Sequence, residues 1–365
     1  MSSEQKRKKS PGDRTRKPGS LLAPDIWERF FQGDRLACAR LITAVENHPR
    51  LVPIIRDRLI PRQKGGVRIG ITGPPGVGKS TVTAALARRT IAGGRSAGVI
   101  AVDPSSPFSG GAFLGDRIRM QGLGGEPRLF IRSQASRNGH GGLSPTTPYA
   151  ADVLDAFGLD RIFIETVGVG QAELDVLTCA DLILLVLQPG TGDIIQTLKA
   201  GILEIADIIL VNKADLPGAD LLLDSLKFLF EISLRKTAKP LPSVLTASAL
   251  QDKGLDEVHA EIERRIRGLV ESGELHEKKR QRLERDIQSA IRDNLWEKFS
   301  ILTNARDEIR AVAGRVLENR KSPYPYLRRT CSRVRITFAK EGAKRDDSEK
   351  KTVGRRVPKV RPAGR

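Results

Sequence analysis

The chain of 365 residues carries a formal net charge of +19, with 39% apolar residues, 4% aromatics and three cysteines. That length suits one large domain or two ordinary ones, and no apolar run approaches the roughly 18 residues of a membrane span. The charge suggests nucleic acid at first sight. However, residues 1–18 hold seven Lys/Arg against two acids and residues 340–365 hold ten against four, so the tails supply more than half of the excess. With aromatics scarce, stacking platforms for single strands are few, and the composition argues against nucleic acid as the main partner.

The basic N-terminus has no apolar segment of the secretory kind. Cys38, Cys179 and Cys331 are far apart, no CxxC occurs and the four histidines do not cluster. That pattern speaks against a disulfide framework or a structural zinc site and fits a reducing, cytoplasmic setting.

In chain order, residues 1–20 read as a disordered basic arm and 21–62 as a helical extension. In that extension Asp25 leads into IWERFF, Gly33-Asp34 breaks the run, and Leu36, Ala39, Leu41, Ile42 and Val45 recur at helical spacing. From Val67 to about Val270 short β-rich runs alternate with helical ones. Strands are expected at VRIGIT, SAGVIAVD, PRLFIR, RIFIE, LILLVL, DIILVNK and PSVLTAS. Helices are expected at 79–90, 149–157, 194–206, 221–234 and 255–270. Strands apolar at nearly every position, separated by helices, predict an α/β fold with a doubly wound, mostly parallel sheet covered on both faces. After Ser272-Gly273 the chain turns helical and charged. Leu283, Ile287, Ile291, Leu295 and Phe299, spaced by four, form one apolar stripe. The stripe either packs on its own domain or serves as a subunit interface, and the scarcity of later apolar elements favours the interface. Residues 336–365 have the composition of a disordered basic tail.

Three motifs carry chemistry. Gly73-Pro74-Pro75-Gly76-Val77-Gly78-Lys79-Ser80, with Thr81 following, lies between a strand and a helix, as a phosphate cradle of the P-loop NTPase type requires. Its backbone N–H groups face α- and β-phosphates, aided by the helix N-terminus. Lys79 reaches the β/γ-phosphates and Ser80 ligates Mg²⁺. Asn212-Lys213-Ala214-Asp215 follows a buried strand and reads as a guanine reader. A carboxylate at Asp215 accepts from guanine N1–H and the 2-amino group, donors that adenine does not offer together. The apolar stem of Lys213 lies along the base, and backbone N–H groups of Ser248, Ala249 and Leu250 meet O6. Finally, RIFIE ends in Glu165 and runs into Thr166-Val167-Gly168, a DxxG-like element with Glu in place of Asp. Glu165 reaches the metal directly or through water, and the Gly168 N–H senses the γ-phosphate. In Ras-type GTPases a Gln directly after this glycine positions water. Here Val169 takes that place and Gln171 follows two residues on, which predicts slow intrinsic hydrolysis. Asp103, ending the second strand, and Asp116, in a glycine-rich loop, are further candidate Mg²⁺ ligands.

Together, GPPGVGKST, D103PSSPFSGGAFLGDRIRM120, E165TVGVGQAE173, IQTLKAGILEIADIILVNKAD and TASALQDKGLDEV resemble the MeaB/ArgK family. The resemblance covers about residues 25–275. It implies a homodimeric GTPase, with a GTPase domain over 63–272 and a C-terminal helical, dimerising region over 273–335. In that family the protein is a chaperone of an adenosylcobalamin-dependent acyl-CoA mutase, chiefly methylmalonyl-CoA mutase. The mutase stimulates GTP hydrolysis, and the chaperone gates cobalamin loading and supports rescue of inactivated mutase, so adenosylcobalamin enters only through the partner. Carried over, Lys79 and Ser80 are P-loop residues and Asp103, Asp116 and Glu165 are Mg²⁺-linked. Gln188 to Lys199 matches a mobile switch, and Lys199 is a candidate cation for the transition state. The stretch from Ser136 to Gly142 (SRNGHGG) departs from the family pattern, and the match is weak beyond about Leu295.

Three other readings compete. A nickel-insertion metallochaperone GTPase tends to carry His-rich or Cys-containing loops, which this chain lacks. An ATP-dependent kinase serving amino-acid transport conflicts with the guanine reader. An RNA-associated GTPase would use the basic tails.

Overall fold

The computed structural model describes residues 22–104, 125–136, 143–168, 175–190, 203, 205–233, 241–303 and 305–319. Seven strands form one parallel sheet: β1 (Val67–Thr72), β2 (Ala97–Pro104), β3 (Leu129–Ser136), β4 (Arg161–Glu165), β5 (Leu182–Leu187), β6 (Ile208–Val211) and β7 (Ser243–Thr246), in the order β3-β2-β4-β1-β5-β6-β7. Every pairing is parallel. From β1 the chain winds outward to β2 and β3 and returns through β4. It then crosses β1 to build β5, β6 and β7 on the other side. The reversal places a crevice at the carboxyl ends of the central strands, where ligands of open α/β sheets bind.

The helices are α1 (Pro24–Phe31), α2 (Arg35–Asn47), α3 (Val52–Leu59), α4 (Lys79–Ala92), α5 (Thr147–Phe157), α6 (Ala219–Ser233), α7 (Leu255–Glu271), α8 (Glu274–Thr303) and α9 (Ala305–Asn319). Strand alternation sorts them into layers. Ile69 and Ile71 of β1 share a core with Val82 and Leu86 of α4 and Val258 and Ile262 of α7. On the opposite face Ile100, Ile162 and Ile164 pack with Trp27 and Phe30 of α1, Leu41 and Ile42 of α2, and Leu154 of α5. Over the far strands, Leu185 and Ile209 pack with Leu222, Leu226 and Phe230 of α6. The N-terminal helices therefore complete one face of the sheet. Pro24 starts α1, and the Asp34 side chain caps α2 by accepting from the Leu36 and Ala37 N–H groups.

Below the sheet, at the amino ends of its strands, lies a buried ionic network. Arg68 of β1 donates to Asp152 of α5 at 2.6 Å, and Arg56 of α3 bridges Asp152 and Asp286 of α8. Arg282 of α8 meets Asp181 at 2.7 Å. Asp155 accepts from the N–H groups of Lys64, Gly65 and Gly66, and Lys279 donates back to the Gly65 carbonyl at 2.9 Å. Burial pushes the Lys279 ammonium below its ordinary pKa. Composition gives no hint of this network, because its members are scattered over 230 residues of sequence.

The chain divides into two units, residues 1–287 and 288–365. The stripe expected on the long helix is exposed: Leu283 is 41%, Ile287 50%, Ile291 55% and Leu295 49% accessible. In the second unit the Trp296 and Phe299 rings stack at 5.8 Å. Among the described residues no helix is long and apolar enough to cross a membrane.

Candidate functional site

β1 ends at Thr72, and the chain then bends through Gly73 to Gly78 into α4. The turn needs glycine at its first position. Gly73 has φ 141°, and a Cβ there would lie 2.0 Å from the Val186 carbonyl oxygen of β5. Pro75 and Gly76 are exposed at the loop tip, Val77 is buried beneath it, and Thr81 sits partly exposed in the first turn of α4. The Lys79 ammonium, buried with 6% exposure, donates to the Gly73 and Pro74 carbonyls at 2.9 Å each. It is thus held inside the loop, where a phosphate would sit over the positive end of α4.

The register of β1 with β4 brings Glu165 to this loop. Glu165 stands opposite Ile71, and the next residue, Thr166, donates its N–H to the Ile71 carbonyl. The Ser80 hydroxyl donates to Glu165 Oε1 at 2.6 Å, with both residues buried. Asp103 is also buried, at the end of β2 and two residues past Ala101, the register partner of Glu165. A hydroxyl and carboxylates are hard oxygen donors. Mg²⁺ needs only one or two of them beside phosphate oxygens, because it keeps several waters. Ser80 and Glu165, with Asp103 nearby, fit that ion. Among the described residues, no three His, Cys, Asp or Glu gather into a metal cage of their own. Gly168 closes on the same loop. With φ 83°, a Cβ on it would lie 2.4 Å from Lys79 Nζ and 2.5 Å from the Gly73 carbonyl oxygen.

At the other side of the loop, Asn212 works as a pin. Its Nδ2 donates to the Val77 carbonyl at 2.8 Å, and its Oδ1 accepts the Ala249 N–H at 3.0 Å. Lys213, in the left-handed region at φ 57°, donates from Nζ to the Gly76 carbonyl at 2.8 Å. Its stem thereby spans from the Asn212–Asp215 loop to the cradle. Asp215 is exposed, and among the described residues it makes no hydrogen bond or ion pair. The loop after β7 differs from expectation. The Ser248 N–H bonds the Lys253 carbonyl, and the Ala249 N–H is taken by Asn212. Of the three amides expected to face O6, only that of Leu250 has no partner among the described residues. Leu250 stands at the loop tip, 89% exposed.

The structure therefore brings together Gly73 to Thr81, Glu165, Gly168, Asn212, Lys213 and the Ser248–Leu250 loop, with Asp103 on the adjacent strand. Asp116, Val169, Gln171 and Lys199 lie outside the described residues, as do most of Gln188–Lys199 and of Ser136–Gly142. The bonding of Asn212 to both loops had no counterpart in the sequence reading beyond the motif itself.

The profile of the family described as methylmalonyl Co-A mutase-associated GTPase MeaB matches residues 38–304. A Pyrococcus horikoshii chain described as an inferred GTPase is 43% identical over 302 residues, covering 82% of this chain and 94% of its own. GTPase ArgK of Escherichia coli is 38% identical over 72% of this chain and 81% of its own. The mouse methylmalonic aciduria type A homolog, mitochondrial, is 32% identical over 82% and 76%. Among solved structures, one titled LAO/AO transport system kinase superposes with a TM-score of 0.63 at 28% identity, covering 88% of this chain and 99% of its own. With the Gly73–Ser80 loop, the buried Ser80–Glu165 pair and the Asn212–Asp215 loop on one sheet edge, and a profile match across most of its length, this chain belongs to the MeaB family of GTPases.

Proposed function

We propose that the protein binds GTP with Mg²⁺, hydrolyses it, and acts as a chaperone of an adenosylcobalamin-dependent acyl-CoA mutase of the methylmalonyl-CoA type. The observation that carries the nucleotide part is the buried Ser80–Glu165 hydrogen bond beside Lys79. It joins the two elements that must flank a metal-bound triphosphate. Lys79 would leave its carbonyls for the β/γ-phosphates, Ser80 and Glu165 would hold Mg²⁺, and the Gly168 N–H would meet the γ-phosphate. Bound Mg²⁺ neutralises charge on the phosphate oxygens. Asp215 would accept from guanine N1–H and the 2-amino group. The mutase part is supported by the family description, which names methylmalonyl-CoA mutase, and by a mouse relative named for methylmalonic aciduria.

Gln171 does not directly follow the Gly168 turn, so intrinsic turnover is slow and a partner supplies what is missing. Lys199 is the cation proposed to serve the transition state, an addition that elsewhere is worth about 10³–10⁵ in rate. Asp116 is proposed as a further holder of the metal or its waters. The exposed stripe from Leu283 to Leu295 supports a homodimer, and the protein works in the cytoplasm.

GTP turnover measured with and without purified adenosylcobalamin-dependent acyl-CoA mutases tests this. One mutase should raise turnover, and Lys199→Ala should cut that stimulation more than basal turnover. If no mutase alters turnover or is retained by the protein, the chaperone assignment fails.

A further inference from the structure

We propose that Arg89 is a positioning residue for base specificity, holding the loop after β7 in the shape that presents the Leu250 N–H to a 6-keto purine. The proposal rests on the guanine reading above. Arg89 lies near the end of α4, the helix whose first residues are Lys79 and Ser80. Its side chain is 14% exposed. Nη1 donates to Asp252 Oδ1 at 2.9 Å and Nε to Asp256 Oδ1 at 2.8 Å. The two carboxylates flank Gly254, where the chain leaves the loop and enters α7. One guanidinium therefore ties the base-facing loop, the following helix and the phosphate-binding helix together.

The loop needs such a tie. Its near leg is fixed by Asn212 through Ala249, and its ends are closed by reciprocal bonds between Ser248 and Lys253. Gly254 has φ 74°, and a Cβ there would lie 2.5 Å from the Thr246 carbonyl oxygen, so the chain folds tightly back on β7. Asp252 adopts φ 56°, a left-handed conformation uncommon for non-glycine residues but one that Asp adopts more readily than most. Among the described residues, Arg89 is the only side chain bonded to the Gln251–Asp252 leg. Arg89 also draws the Asp252 carboxyl below the usual carboxylate range. Next to Arg89, the Thr90 hydroxyl lies 3.4 Å from His259 of α7, a second contact between the two helices. Exposed ion pairs add little stability by themselves. The consequence of this clamp is instead geometric, since a small displacement of the loop tip removes one hydrogen bond to the base.

Binding of three nucleotides separates the possibilities. GTP and ITP share the 6-keto group, GTP alone carries the 2-amino group read by Asp215, and ATP has neither. Arg89→Ala should weaken GTP and ITP by the same factor, about three- to tenfold for one lost hydrogen bond, and leave ATP unchanged. Arg89→Lys should recover part of the loss. The pair Asp252→Asn with Asp256→Asn should reproduce it from the other side, which keeps the test open if Arg89→Ala folds poorly. Equal weakening of all three nucleotides, or GTP affinity retained within twofold by both variants, overturns the proposal. If the unaltered chain prefers GTP no more than ATP, the guanine reading falls first and takes this inference with it.

Discussion

Arg68→Ala should destabilise the protein strongly while leaving its nucleotide site intact. Arg68 is 2% exposed, and Nη2 donates to Asp152 Oδ1 at 2.6 Å. Removing one member of a buried, hydrogen-bonded ion pair costs about 3–5 kcal/mol, because the remaining charge stays buried without its counterion. Here each carboxylate keeps some support. Asp152 retains Arg56 and Gln63, and Asp181 retains Arg282 and the residue-68 N–H. The expected loss is therefore at the lower end, about 3 kcal/mol. For a unit of 287 residues that lowers Tm by roughly 5 °C. Thermal unfolding followed by circular dichroism reads the shift. GTP affinity, measured well below the transition, should change less than about threefold, since Arg68 is the second residue of β1 and the Gly73 loop follows only after the strand's last residue, Thr72. A Tm lowered by less than 2 °C would refute the ionic reasoning. A large loss of affinity without destabilisation would show that the network serves the site.

Asp215→Asn should weaken GTP by about ten- to a hundredfold, through loss of a charge-assisted hydrogen bond, and should favour xanthosine triphosphate, whose donor pattern is inverted; competition binding reads the switch, and an unchanged preference speaks against a base contact. Gly168→Ala places a Cβ 2.4 Å from Lys79 Nζ at a positive φ, a backbone penalty of about 1–2 kcal/mol before any clash is counted. Triphosphate affinity should fall at least about fivefold in a fluorescent-nucleotide titration, and an unaltered titration would mean that Gly168 does not close on the cradle in solution. Burial raises the carboxyl pKa of Asp207, with Lys278 offsetting only part of it. The penalty on its charged form is present at neutral pH and disappears as pH falls through the raised pKa. Asp207→Asn keeps an acceptor for the Ile183 N–H, so it should raise Tm relative to the parent at about pH 7.5 more than at about pH 4. A difference that does not vary with pH would assign the Asp207 effect to packing instead.

Much of the frame was legible in the residue string. Runs such as VRIGIT, RIFIE and LILLVL coincide with β1, β4 and β5, because a strand buried on both faces is apolar at most positions, on one face as on the other. The Gly73–Ser80 cradle and the Asn212–Asp215 loop were legible for a related reason. Each asks particular residue types of consecutive positions, and consecutive positions are what a sequence displays. Other boundaries depended on partners. PRLFIR suggested a strand ending near Arg132, yet β3 continues to Ser136 because β2 runs beside it as far as Pro104.

Tertiary structure decided what distant residues do to each other. The strand order put Glu165 against Ser80, 85 positions away. It also spent the Ser248 and Ala249 amides inside the protein, leaving the Leu250 amide without a partner among the described residues. The same packing buried Arg68 among carboxylates from other elements and stretched Arg89 across to the loop after β7. An arginine on a helix reads alike in a sequence whether it faces water or clamps a loop. Local chemistry is written residue by residue, whereas the energy of a buried charge or a shared hydrogen bond depends on neighbours that only the folded chain supplies.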